Sequence, residues 1–359
     1  MLINCSCLAG ERLELIEEAH IVLEGERIAG IGDGFEGGGL DLKGFLAMPG
    51  LINAHTHIGD AFAKEACAGL RLHEAVGRDG LKWELYKKTE RALRIEAMRD
   101  AAIEMLDCGI TAHADFREGG SEGLEELKAA TRMLPIKTVA LGRDLGGKFE
   151  GCRGLGLNLY QSDQIPSRRD RRDMIIAIHA GEVAGEVEAA LKCEPDIIVH
   201  FTHCTAKDVV DAARKNVSVV VCPRSNAALG AGFPPVEELL EKKVNCALGT
   251  DNAMINSPDM WREMEFLSKY SRLGRGVEPA DVLKMATVNA AKALRMSSGS
   301  IERGGAADII FIDRDARNLR HSRDPIATLA TRCRHDNARK VMVEGEFVID
   351  KDRLQPEVY

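Results

Sequence analysis

Between residues 47 and 304 the chain alternates short apolar, β-branched runs with longer amphipathic stretches, and no other feature constrains the fold as strongly. The runs are MPGLINAH, GITAHADF, IKTVALG, GLGLNLY, MIIAIH, DIIVH, VSVVVC and VNCALGTD. Between them lie segments such as TERALRIEAMRDAAIEMLDCG, EGLEELKAATRML and AKDVVDAARKN, with apolar residues at helical spacing. A strand apolar on both faces is a covered strand, and parallel neighbours need a crossover helix between them. Eight such units in roughly 250 residues predict an α/β fold, a (β/α)8 TIM barrel. A doubly wound open sheet is the alternative, but no GxGxxG follows a strand run into a helix.

The two ends read differently. HIVLEGERIAGIG near the start and ADIIFIDRD and ARKVMVEGEFVID near the end are strand candidates broken by glycine. Neither end holds enough apolar residues for a core of its own. Residues 1–46 and 305–359 are therefore expected to form one small β-sandwich, with 47–304 as the catalytic barrel.

Composition narrows the function classes. Lys and Arg total 48 against 56 Asp and Glu, a formal net charge of −8, which argues against nucleic acid as a partner. No apolar run approaches the ~20 residues of a membrane helix, so no membrane partner is expected. The start, MLINCSCLAGERLELIEE, turns acidic at once and lacks the pattern of a secretory signal. Ten cysteines are scattered without a CxxC pair, as suits reduced thiols in the cytoplasm.

The histidines carry the chemistry. His55 and His57 end the first run, His179 the fifth and His200 the sixth, while Asp251 ends the eighth. In a barrel all these ends open on the one face where active sites are built. Residues two apart on a strand share a side, so His55 and His57 can grip one cation together. His113, inside GITAHADF, is expected to fill the barrel or to touch the groups behind the site.

In order, MPGLINAHTH, IHAGE, HFTH, CPRSN and LGTDN resemble the metal-dependent amidohydrolase superfamily. The chain is most similar to its cytosine deaminase and chlorohydrolase (ATZ/TRZ-like) group, which includes adenosylhomocysteine and methylthioadenosine deaminases. ATVNAAKAL and GSIERGGAADIIFID extend the resemblance past the barrel. It implies a TIM barrel with a terminal β-sandwich. It also implies His55, His57, His179 and Asp251 as ligands of one divalent metal, Zn²⁺ or Fe²⁺. Binuclear relatives use a lysine at the end of strand four, and GLGLNLYQSD has none. Glu182 in HAGE matches the residue that moves protons between water and a ring nitrogen. His200 matches the histidine that holds the attacking water, with Asp251 orienting it.

Other positions have two readings each. His203 either lines the pocket or sits in a loop. Ser225 and Asn226 either fix a turn or bond the substrate. Asp115, Arg117 and Glu118 meet the substrate or one another. His73, Arg78, Lys82 and Trp83, in the segment after His57, meet the substrate or form charged surface. Val221 stands where many relatives have a substrate-contacting histidine, so one contact is expected to be missing. The resemblance implies hydrolytic deamination of a small aminated heterocycle, purine nucleoside-like or pyrimidine- or triazine-like, by a homodimer. The alternatives are hydrolysis of another C–N or C–Cl bond and a non-catalytic scaffold. The cytidine deaminase architecture is excluded, because its PCxxC pattern is absent.

Overall fold

A computed structural model describes residues 1–352 apart from 148, 168 and 172. Four strands open the chain: β1 (Leu2–Ala9), β2 (Glu14–Glu24), β3 (Arg27–Asp33) and β4 (Leu40–Pro49). The middle supplies β5 (Leu51–His57), β6 (Ile110–Arg117), β7 (Lys137–Gly142), β8 (Gly154–Asn158), β9 (Ile175–Ala180), β10 (Ile197–His200), β11 (Ser218–Val221), β12 (Cys246–Leu248) and β13 (Asp251–Asn252). The end adds β14 (Ile309–Asp313), β15 (Ala338–Val343) and β16 (Glu346–Asp350).

β5 to β12 pair in sequence order, all parallel, and β13 pairs back onto β5. β12 and β13 are two pieces of one eighth strand. Between them Gly249 N donates to Val221 O at 3.0 Å and Thr250 N to the Asn53 side chain at 3.0 Å, which closes the barrel. Gly249 has to be glycine, since a Cβ there would lie 2.7 Å from the His55 Cβ. Ile52, Ala114, Phe116, Ala177, Val199 and Val220 fill the interior, while Ile176, Ile178, Ile198 and Val219 pack outward on the helices.

The terminal strands form one sheet in the order β16-β15-β14-β4-β1-β2-β3. Ile3, Cys5 and Cys7 point from β1 into a core shared with Ile21, Phe311 and Met342. The β3 edge returns to residues 304–307 through an Arg27–Ala306 bridge and Ile28 N to Gly305 O at 3.0 Å. The sheet thus curls around a core of its own. β4 pairs with β14 as far as Pro49, so the sheet continues past residue 46. Residues 353–359 of the predicted 305–359 segment lie outside the described residues. Among the described residues no helix is long and apolar enough to cross a membrane.

Candidate active site

On β9, Ile175, Ala177 and His179 alternate into the barrel, so His179 faces inward at the strand's carboxyl end. β10 obeys the same rule as far as Val199, and strict alternation would turn His200 outward. His200 instead has φ of 77°, and its ring stacks beside His179 with centroids 5.6 Å apart. On β5 the pairing with β6 slips between Asn53 and Thr56, a kink that re-aims the strand end. His55 and His57 both finish against Phe116, at 4.3 and 5.9 Å. Asp251 opens β13 with φ of 62°.

These turns bring four donors to one point. Nε2 of His179 lies 3.2 Å from Nε2 of His57 and 3.3 Å from Nε2 of His55. Oδ1 of Asp251 is 3.1 Å from His55 Nε2 and 3.7 Å from His57 Nε2. Two nitrogens held at about 2.0–2.1 Å by one tetrahedral cation stand roughly 3.3 Å apart, so the cluster fits a divalent metal. The ring nitrogens of His55, His179 and His200 also lie within 4.8 Å of one another.

The far atom of most members is tied down, which leaves the near atom aimed inward. His57 Nδ1 meets Glu118 Oε1 at 2.9 Å, and His179 Nδ1 meets Leu157 O at 3.2 Å. Ser225 Oγ donates to Asp251 Oδ2, and His200 Nδ1 donates to Asn226 Oδ1 at 2.9 Å. Arg224 clamps the segment that carries Ser225 and Asn226. Its backbone N donates to buried Glu263 at 2.8 Å and its guanidinium to Asp259 O at 3.1 Å.

Burial drives the His55 ring down to about 3, and burial with the neighbouring His55 and His57 rings holds His179 well below the usual range. Both are neutral, with lone pairs free. Burial opposes ionisation of Asp251, yet the His55 hydrogen bond and the surrounding rings hold it low. Glu182 is raised by burial. Its Oε1 lies 3.6 Å from His200 Nε2, and burial of that ring is outweighed by Glu182 and Asp251, which raise it.

Above the cluster is a cavity of about 450 Å³, within the usual range for small-molecule sites. Glu182, His200 and Asp251 line it, together with Trp83, Arg78 and Arg143. Of the candidate substrate contacts, His73, Arg78, Lys82, Trp83 and Glu118 line it; the Trp83 indole Nε1 donates to Gly77 O at 2.9 Å. Arg117 does not. It is wholly buried behind the wall, bonded to Glu118 at 2.8 Å and the Tyr86 hydroxyl at 3.0 Å. Ser225 and Asn226 are spent on Asp251 and His200, and the exposed His203 lies outside the lining. Val221 packs in the outer layer, so a side chain there faces the helices.

Three residues take parts that the sequence did not assign. Glu118 braces His57 from behind. Lys82 is buried, 2.6 Å from Glu118 and 2.7 Å from Asp60. Arg143 is buried in the cavity wall, its Nη2 3.5 Å from Glu118 Oε1. Glu118 and Arg143 each follow directly on a barrel strand, the position that singled out the histidines. The lone Lys82 offered no such signal.

A family model for the amidohydrolase family matches residues 164–348. A putative aminohydrolase of Methanothermobacter thermautotrophicus is 33% identical over 346 residues, covering 86% of this chain and 88% of that protein. The 5-methylthioadenosine/S-adenosylhomocysteine deaminase of Caldanaerobacter subterraneus subsp. tengcongensis is 28% identical, covering 98% and 93%. Among solved structures, the atrazine chlorohydrolase of Arthrobacter aurescens TC1 complexed with zinc superimposes with a TM-score of 0.86 at 19% identity. That match covers 100% of this chain and 96% of the other.

Proposed function

The chain belongs to the amidohydrolase family, and from that premise we propose that it is a metal-dependent hydrolase that deaminates a small aminated heterocycle. The substrate class is a purine nucleoside-like or pyrimidine- or triazine-like ring. One observation carries the reading. Glu182, a carboxyl raised by burial, faces the cavity 3.6 Å from His200 and beside three imidazoles and a carboxylate.

His55, His57, His179 and Asp251 would hold one Zn²⁺ or Fe²⁺ per chain; their donors stand 3.1 to 3.7 Å apart, and β8 ends in Asn158 without a lysine. Such an ion, when bound, makes water acidic near neutral pH and so supplies the nucleophile. Glu182 accepts the proton that water loses and passes it to the ring nitrogen beside the amine-bearing carbon. His200 orients the incoming oxygen, with its own ring fixed by Asn226. The carbon–oxygen bond forms, the carbon–nitrogen bond breaks, and ammonia carries off the second proton. Arg143 shares the Glu118 carboxylate with Lys82, its Nη2 3.5 Å from Oε1, and so keeps the brace behind His57 ionised. Ten thiols, none paired among the described residues, accord with a reducing compartment.

The test is ammonia release from nucleosides, free bases and triazines, with metal content measured on the same protein. Glu182→Gln should keep its metal and lose at least the ~10²–10⁴ in kcat typical of general acid–base catalysis. A metal-loaded variant within a few-fold of the parent would remove Glu182 from the mechanism. Chloride or amine release without ammonia would replace deamination by another hydrolysis on the same site.

A further inference from the structure

Far from the barrel mouth, two hollows adjoin where the terminal sheet meets the helices Pro325–Arg332 and Met260–Tyr270. Their volumes are about 500 and 730 Å³, and Leu319, Arg320, His321, Ser322 and Thr328 line both. Together they form one groove with Leu46, Ile312 and Leu329 in its floor.

Its charge runs against that of the molecule. Eight Lys and Arg line the groove against two carboxylates, Asp315 and Glu265, in a chain whose net charge is −8. Half of those cations are already engaged: Arg314 with Glu17, Lys269 with Glu265, Arg334 with Asp336 and Lys43 with Asp41. The other four, Arg317, Arg320, Arg323 and Arg332, have no side-chain hydrogen bond or ion pair among the described residues. Four free guanidiniums around one concavity repel one another, and an anion seated between them relieves that repulsion.

The lining also narrows the anion. No Phe, Tyr or Trp lines either hollow, so the stacking platform that single-stranded nucleic acid requires is missing. A guanidinium fork matches the oxygens of phosphate, and four such forks lining the larger hollow, with Arg320 reaching the smaller one as well, suit a ligand with linked charges rather than one.

We propose that this groove is a binding site for an oligophosphate, free or as the tail of a nucleotide, separate from the catalytic cavity. The phosphates lie among Arg317, Arg320, Arg323 and Arg332, and the apolar floor takes whatever they are attached to. The site is independent of the catalytic reading, since its lining shares no residue with that of the cavity.

Calorimetric titration of the full-length protein with inorganic triphosphate, ATP and orthophosphate tests it. Triphosphate and ATP should both saturate, ATP should compete with triphosphate, orthophosphate should bind at least tenfold more weakly, and added salt should weaken every complex. Triphosphate binding as tightly as ATP identifies the free chain as sufficient; tighter ATP binding identifies the nucleotide. The double variant R320E/R323E should raise Kd at least tenfold while melting like the parent. A control pair on exposed helices, K192E/K207E, makes the same change in net charge and should leave Kd within twofold. No saturation by triphosphate at millimolar concentration, or equal losses in the two double variants, would overturn the proposal.

Discussion

His200 and Asp251 hold left-handed backbone conformations that cost a non-glycine residue about 1–3 kcal/mol each. Both point their side chains into the cavity, and relaxing either would turn it away from the cluster. The restraint comes from Asn226 on one and Ser225 on the other, both on the turn that Arg224 and Glu263 clamp. Glu263 has its own signature. Burial pushes its carboxyl up to about 7, more than Arg224 beside it can offset. A carboxyl raised on folding binds its proton more tightly in the native chain, so its contribution is most favourable below the ordinary 4.5 and is lost as pH rises through about 7. Glu263→Gln keeps an acceptor for Arg224 N but cannot ionise. Its melting temperature relative to the parent should therefore climb across that window and level off above it. A difference that stays flat, or declines, would show that Glu263 is not raised.

At the scale of elements, the helix Leu81–Lys88 is docked by buried charge, through Lys82 and through the Tyr86 hydroxyl that accepts from Arg117. Lys82 bridges Asp60, just after β5, and Glu118, just after β6, and Glu118 braces His57. Removing one partner of a buried ion pair typically costs 3–5 kcal/mol, because the other charge stays behind. Lys82→Met should lose about that much in denaturant titration and expose the helix to proteases. A loss under about 1 kcal/mol would mean that the helix is held by its apolar contacts instead.

The same elements show what could be read beforehand. The eight barrel strands and the convergence of His55, His57, His179 and Asp251 were legible, because both follow from local runs and from which residues fall at their ends. The break in strand eight was not, since a β12–β13 discontinuity depends on how closely Gly249 passes His55 across the barrel. Nor were the parts of Ser225 and Lys82. Each is set by a partner distant in sequence, and a charged or hydroxylated side chain reads as surface until that partner is known.

For the whole molecule, the terminal sheet is the dependent part. β4 sits between β1 and β14, and Ile3 and Cys5 share their core with Phe311. Ending the chain before Ile309 would leave the β4 edge unpaired and half of that core open to water. Unpaired apolar edges are templates for association. The truncated chain should move from the soluble to the insoluble fraction on expression, whereas one that stayed soluble and melted like the parent would make the sheet dispensable.

This pairing also puts the molecule on a clock. Pro49 meets Ile309, so the strand that β4 awaits leaves the ribosome about 260 residues later. At roughly 5–20 residues per second, the first four strands spend on the order of tens of seconds as an open edge beside a barrel still being synthesised. Strands β1 to β4 are therefore made long before β14 and are among the last to find their place. During that interval their natural company is a chaperone or a neighbouring nascent chain.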